Sequence, residues 1–186
     1  MNHPYNLNCQ KKISIGKQYD GYGNKHPVPK EAILKHNNGN INNTKITIIT
    51  PPFIQTLNKP ITSVTMDATC LQRKKVLVDF TGILTVVAYS NAANSVLFSF
   101  KLFKSTKDIL HQFEAAFDFY YNKFSLSGTP ITSTLVFQYS PGNYNYNYEN
   151  CCTYTLELSE LSGISPLFME VSINGTLSVL ALNSPS

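Results

Sequence analysis

From Lys45 onward the chain is a succession of short runs, apolar or alternating apolar with polar, separated by turn residues at regular spacing. That rhythm is the signature of an all-β sandwich or barrel, because alternation at period two gives a strand one buried and one solvated face. The runs fall at 45–50, 61–70, 75–89, 94–104, 112–121, 131–139, 151–159 and 167–182. Eight strands fit a jelly-roll-like antiparallel sandwich, in which two sheets pack face to face. Residues 91–94 and 140–150 read as connections, and Asn174-Gly175 as a tight hairpin turn or a bulge interrupting the last strand. Around 109–124 two periods compete. Ile109, Phe113, Ala116, Phe117, Tyr120 and Phe124 fit a helix, while Phe113, Ala115, Phe117, Phe119 and Tyr121 fit a strand; the flanking strands favour β.

Residues 1–44 are of another character, rich in Asn, Lys, Gly and Pro and without apolar periodicity. One helical turn is expected at 29–36, with Pro29 at its first position. The run His36-Asn37-Asn38-Gly39-Asn40-Ile41-Asn42-Asn43 reads as a low-complexity spacer with too little apolar surface to offset its ordering entropy. The expected organisation is therefore an extended N-terminal connector arm, 1–44, with a hinge at 37–43, and a jelly-roll domain, 45–186. At 186 residues the chain has room for one such core.

Charged residues make up only 14% of the chain, and nineteen Asn supply much of the polarity, which suits a secreted or surface β-protein better than a cytosolic enzyme. The net charge of +4 is modest. Its one basic run, Arg73-Lys74-Lys75, reads as a solvated turn, and nucleic-acid binding needs a coherent basic face. No run of 18 apolar residues is present, so membrane insertion is not expected. The first twelve residues lack a signal peptide's apolar core and cleavage site, so synthesis without a signal peptide is expected.

Little in the chain points to catalysis. Ser14-Ile15-Gly16-Lys17 matches S-x-x-K but has no companion motif, and Asp20-Gly21-Tyr22-Gly23-Asn24 lacks the strand and helix a phosphate loop requires. His3, His26, His36 and His111 are scattered and no C-x-x-C occurs, so neither a zinc site nor any cofactor is expected. Asp79 falls on the outer face of the most apolar strand. The loop carrying Tyr144, Tyr146 and Tyr148 at period two offers aromatic area with polar tips, a candidate contact loop.

The four cysteines carry the most information. Cys151 and Cys152 are adjacent on a strand, so their side chains point to opposite faces. Cys152 shares parity with Tyr154, Leu156 and Leu158, and Cys70 with Val64, Met66 and Ala68, so Cys70 and Cys152 face inward and Cys151 outward. An internal Cys70–Cys152 disulfide follows from this parity; two reduced core thiols are the alternative.

The strings Thr65-Met66-Asp67-Ala68-Thr69-Cys70-Leu71, Val78-Asp79-Phe80-Thr81-Gly82-Ile83-Leu84, Phe98-Ser99-Phe100-Lys101-Leu102-Phe103, Cys151-Cys152-Thr153-Tyr154-Thr155-Leu156-Glu157-Leu158 and Asn174-Gly175-Thr176-Leu177 resemble a family of small clostridial proteins described only as a domain of unknown function. More distantly, the architecture is similar to the subunits of endospore appendages, disulfide-stapled fibres with an N-terminal connector. This chain differs in its longer arm and in carrying one arm cysteine, Cys9, where those connectors carry a pair. The resemblance, with the outward parity of Cys151, implies a Cys9–Cys151 bond between subunits. It also implies a helical or linear homopolymer on the spore surface or outside the cell. The competing expectation is a jelly-roll coat protein or glycan-binding module.

Overall fold

The computed structural model describes residues 32–48, 53–68, 71, 74–89, 95–122, 128–141, 151–163 and 167–183. Eight strands follow one another without a helix among these residues: β1 (Ala32–Ile48), β2 (Phe53–Asp67), β3 (Lys74–Ala88), β4 (Val96–Ser105), β5 (Gln112–Tyr121), β6 (Pro130–Tyr139), β7 (Cys151–Gly163) and β8 (Leu167–Asn183). They form two four-stranded sheets, β1-β8-β3-β6 and β2-β7-β4-β5, with every pairing antiparallel. Each connection between consecutive strands passes from one sheet to the other except β4–β5, and this strand order is the jelly roll. The all-β, eight-stranded expectation holds, and within 109–124 the residues Gln112–Tyr121 form a strand, not a helix.

Period-two patterning builds the core. In β3, Val78, Phe80, Leu84 and Val86 are buried while Lys75, Thr81 and Ile83 face out; in β8, Met169, Val171, Ile173, Leu177, Val179 and Ala181 make one buried row. Opposite them lie Phe98, Phe100 and Leu102 of β4 with Leu156, Leu158 and Leu161 of β7. A fully buried side chain of this size contributes on the order of 1.5–3 kcal/mol. Asp79 stands on the outer face, half-buried, as alternation requires.

Three glycines interrupt the inner row side by side, Gly39 opposite Gly175 and Gly175 opposite Gly82. Their missing side chains form a trough. The Phe80 ring fills it over Gly82 and Gly175, and a Cβ on Gly39 would collide with the Ile61 carbonyl of β2. Asn174-Gly175 is thus neither a turn nor a bulge: β8 runs through it in unbroken register with β3.

The main correction concerns the arm. No helical turn occupies 32–36 and no spacer occupies 37–43, because both belong to β1, paired with β8 from Ala32 to Ile48. The asparagines find partners that local sequence does not reveal. Asn37 Nδ2 donates to the Ser63 carbonyl (2.9 Å), Thr62 Oγ1 to the Asn37 carbonyl (3.2 Å) and Thr176 Oγ1 to Asn38 Oδ1 (2.6 Å). Asn43 takes a left-handed φ of 43° at the register shift between Ile41 and Thr44, and its backbone N–H and side-chain carbonyl both bond Ser172 Oγ. Asparagine tolerates that conformation better than most residues. Residues 1–31 of the expected arm lie outside the described residues.

Two smaller corrections follow. β2 begins at Phe53, ahead of the expected residue 61, with irregular register around Asn58 (φ 46°) and Pro60. In β5 a register shift between Phe103 and Leu102 leaves Glu114 unpaired. Phe113 therefore leaves the row of Ala115, Phe117, Phe119 and Tyr121 and is exposed.

Candidate assembly site at the cysteine end of the sandwich

Antiparallel connectivity gathers one set of chain segments at one end of the sandwich. Asp67 at the close of β2 is paired with Cys151 at the opening of β7, and Ser105 at the close of β4 with Thr153. Ala32, where β1 begins, is paired with Leu182, and Lys74 with Asn183. The start of β1, both termini of this segment set and the β2–β3, β4–β5 and β6–β7 connections therefore share that end.

Cys151 is exposed and Cys152 buried. Parity places them so: Cys152 continues inward through Tyr154, Leu156 and Leu158, opposite Met66 and Val64 of β2. Beside Cys152, burial pushes the Tyr154 hydroxyl well above the ordinary tyrosine range, reinforced by Cys152 and the Glu114 carboxylate. Glu114 accepts a 2.8 Å hydrogen bond from Tyr139 of β6. Cys70, Cys9 and the tyrosines 144, 146 and 148 lie outside the described residues. The neighbours of Cys70 are described: Ala68 and Leu71 are both buried, with Leu71 N–H donating to the Ala68 carbonyl at 3.0 Å.

On the outer face, the row that starts at Cys151 leads into a cluster that sequence reasoning missed. The hydroxyls of Thr153 and Thr65 lie 2.8 Å apart. Next to them the His111 ring stacks on Phe103, centroids 3.8 Å apart, and Phe113 meets Phe103 edge-on at 6.3 Å. His111 Nε2 is 3.5 Å from Oε1 of the buried Glu157. The turn that delivers His111 is self-bonded: Thr106 N–H donates to the Ile109 carbonyl (2.7 Å), Ile109 N–H to Thr106 Oγ1 (3.0 Å) and His111 N–H to Ser105 Oγ (3.0 Å). His111 sits there at φ 57°. The pairing of Phe103 with Phe113 across a short turn was the available signal, and the bulge at Glu114 hid it.

Chemically, this end offers an exposed thiol at the start of β7, paired with Asp67 of β2 and followed on the outer row by the Thr153 hydroxyl. Such a thiol can exchange with another cysteine or disulfide brought to it. No group of three potential metal ligands occurs among the described residues.

No curated protein matches this chain in sequence. Among solved structures it is similar to the infectious bursal disease virus T13 particle protein, with 9% identity, a TM-score of 0.41, and coverage of 94% of this chain and 45% of that one. It is similar also to the protein of the Gt strain of that virus, at 11% identity and a TM-score of 0.40, covering 100% of this chain and 46% of the other. A virus-like particle of Macrobrachium rosenbergii nodavirus gives 10% identity, a TM-score of 0.25 and coverage of 98% of each chain. The chain spans less than half the length of the bursal virus proteins, and the jelly-roll assignment rests on the strand order itself. A family model matches residues 30–182, which takes in β1 and the whole sandwich, so the chain belongs to the family of the domain of unknown function DUF4489.

Proposed function

We propose that this protein is a structural subunit that assembles with copies of itself into a disulfide-cross-linked fibre at the spore surface or outside the cell, joined through its N-terminal residues. The observation that carries this reading is the division of labour at Cys151 and Cys152: one thiol faces the core and its neighbour is presented to the outside. β1 begins at the same end. In this reading Cys70 and Cys152 staple the subunit internally, and Cys9 of one copy bonds Cys151 of the next.

The topology limits how that bond forms. Cys151 opens β7, which has β2 on one side and β4 on the other. A strand added at either edge of this sheet would lie at least two strand spacings, roughly 9.5 Å, from β7. Disulfides need Cα atoms within about 7 Å. Cys9 must therefore reach Cys151 over the outer face or the sandwich end, not from within an edge strand.

Non-reducing electrophoresis of oxidised protein tests the proposal. A ladder of covalent multimers that collapses with reductant, and that is lost in both Cys9→Ser and Cys151→Ser, supports it. A single monomer band in oxidised protein sinks it. That result would favour a monomeric coat or glycan-binding module, for which the exposed Phe113 beside His111 is the feature to pursue.

A further inference from the structure

A sandwich of two open sheets has four edge strands, here β1, β6, β2 and β5. An unpaired strand edge is a template for another chain, and folded proteins blunt it with bulges, prolines, charges or covering segments. Three of these edges are blunted or already satisfied. β1 is bound to β2 through Asn37, Ser63 and Thr62 and is bulged beside Asn43. β2 carries Lys59, Pro60 and two register shifts. β6 opens on Pro130, and its inward Leu135 and Phe137 are already buried, so an added strand would gain little there.

β5 differs from all three. Past the bulge at Glu114 it runs in regular register with β4 from Ala115 to Tyr121, with no proline and no lysine. Its inward residues Ala115, Phe117 and Phe119 are only half-buried. Phe117 stacks on Phe137 at 4.9 Å, but the edge side of that row has no strand over it among the described residues. A neighbouring strand would complete the ladder and cover the rings.

Resting on the assembly reading above for the identity of the partner, we propose that β5 is the docking edge and that it takes residues 11–17 of a second copy as an added strand. Charge selects this occupant over a second β5. The strand carries Glu114 and Asp118 and no basic residue, so two copies of β5 repel. The first 31 residues hold five lysines against two acids. Within them Lys11-Lys12-Ile13-Ser14-Ile15-Gly16-Lys17 carries two isoleucines two residues apart, between lysines. Ile13 and Ile15 share a parity and would cover the half-buried aromatic row, while Lys12, of opposite parity, would lie on the outer row with Asp118. Residues 18–31 would span up to about 45 Å when extended, enough to reach a neighbouring copy. A strand added on β5 lies three spacings, roughly 14 Å, from β7. Because Cys9 is two residues beyond that strand, the Cys9–Cys151 bond would join the arm to a third copy.

Photo-crosslinking tests this in the full chain. Benzoylphenylalanine replaces Tyr120, which is 70% exposed on the outer row of β5. The variant is mixed with isotope-labelled unsubstituted chain under reducing conditions, which removes any contribution from the Cys9–Cys151 bond. The expected product joins position 120 to a peptide within 11–17 of the labelled copy. Products confined to the same copy, or to any other segment, or no product at all, overturn the assignment. A second measurement needs no probe: Ile13→Ser with Ile15→Ser should weaken reductant-resistant association tenfold or more by sedimentation. Unchanged association would also overturn it. Failure of the assembly reading looks different, since it would abolish the covalent ladder of the unsubstituted chain.

Discussion

β1 and β5 are both edge strands, one on each sheet, and they are held by opposite means. β1 is richest in Asn, with one critical glycine, and hydrogen bonds to β2 and β8 fix it alongside its buried Ile41 and Ile46. β5 is built from Phe, Ala and Tyr, and ring stacking and the Tyr139–Glu114 bond fix it. The polar edge is specific because an unmade hydrogen bond or a filled trough is costly. The aromatic edge tolerates neighbours, because apolar contact has no required partner. One sandwich thus has a closed side and a receptive side.

The sharpest way to break the closed side is Gly39→Val. Its side chain would strike the Ile61 carbonyl, and backbone cannot move aside cheaply, so a loss of about 3 kcal/mol or more is expected in urea unfolding. Phe117→Ala tests the receptive side. The ring is half-buried and stacked on Phe137, so a loss of about 2 kcal/mol is expected, below the cost of a fully buried phenylalanine.

The two edges should also separate with pH. Burial raises the hydroxyl of Tyr121, the last residue of β5, above its ordinary value of 10.0. A raised tyrosine favours the neutral form in the fold, so its stabilisation is complete below about pH 10 and is lost as pH rises further. β1 contains no tyrosine. Alkaline titration followed by residue-resolved NMR should show β5 loosening before β1, and Tyr121→Phe should remove much of the difference. If both edges loosen together in the wild type, another group governs the alkaline limb.

The smallest effect is expected for Asn37→Ala, which deletes the bond to the Ser63 carbonyl and leaves the backbone carbonyl bond from Thr62 in place. About 0.5–1.5 kcal/mol is expected. A larger loss would mean that the side chain orders the whole corner.

The same comparison explains what could be read from sequence. β3, β4 and β6 were legible because their buried partners are apolar and alternate, and β8 was legible except at Asn174-Gly175, where a glycine in the inner row reads as a turn. β1 was not, since the information that makes 32–44 a strand is stored in Ser63, Thr62, Thr176 and Ser172, far away in sequence. β5 was legible as a strand but not in its full parity, because a single bulged residue sent Phe113 to the other face. The orientations of Cys151 and Cys152 followed from alternation, since no register shift separates them from Tyr154 and Leu156. The Phe103–His111–Phe113 cluster depended on that bulge and on a self-bonded turn, and neither has a period to read.

A pull applied at Cys151 would enter the subunit along the axis of β7. That strand is laddered to β2 and to β4 over most of its thirteen residues. Force along a doubly laddered strand loads its hydrogen bonds in shear, many together, whereas force on an edge strand peels them one after another. The exposed thiol is therefore mounted on a strand held from both sides, and a subunit coupled through it would take the load as shear across two ladders at once.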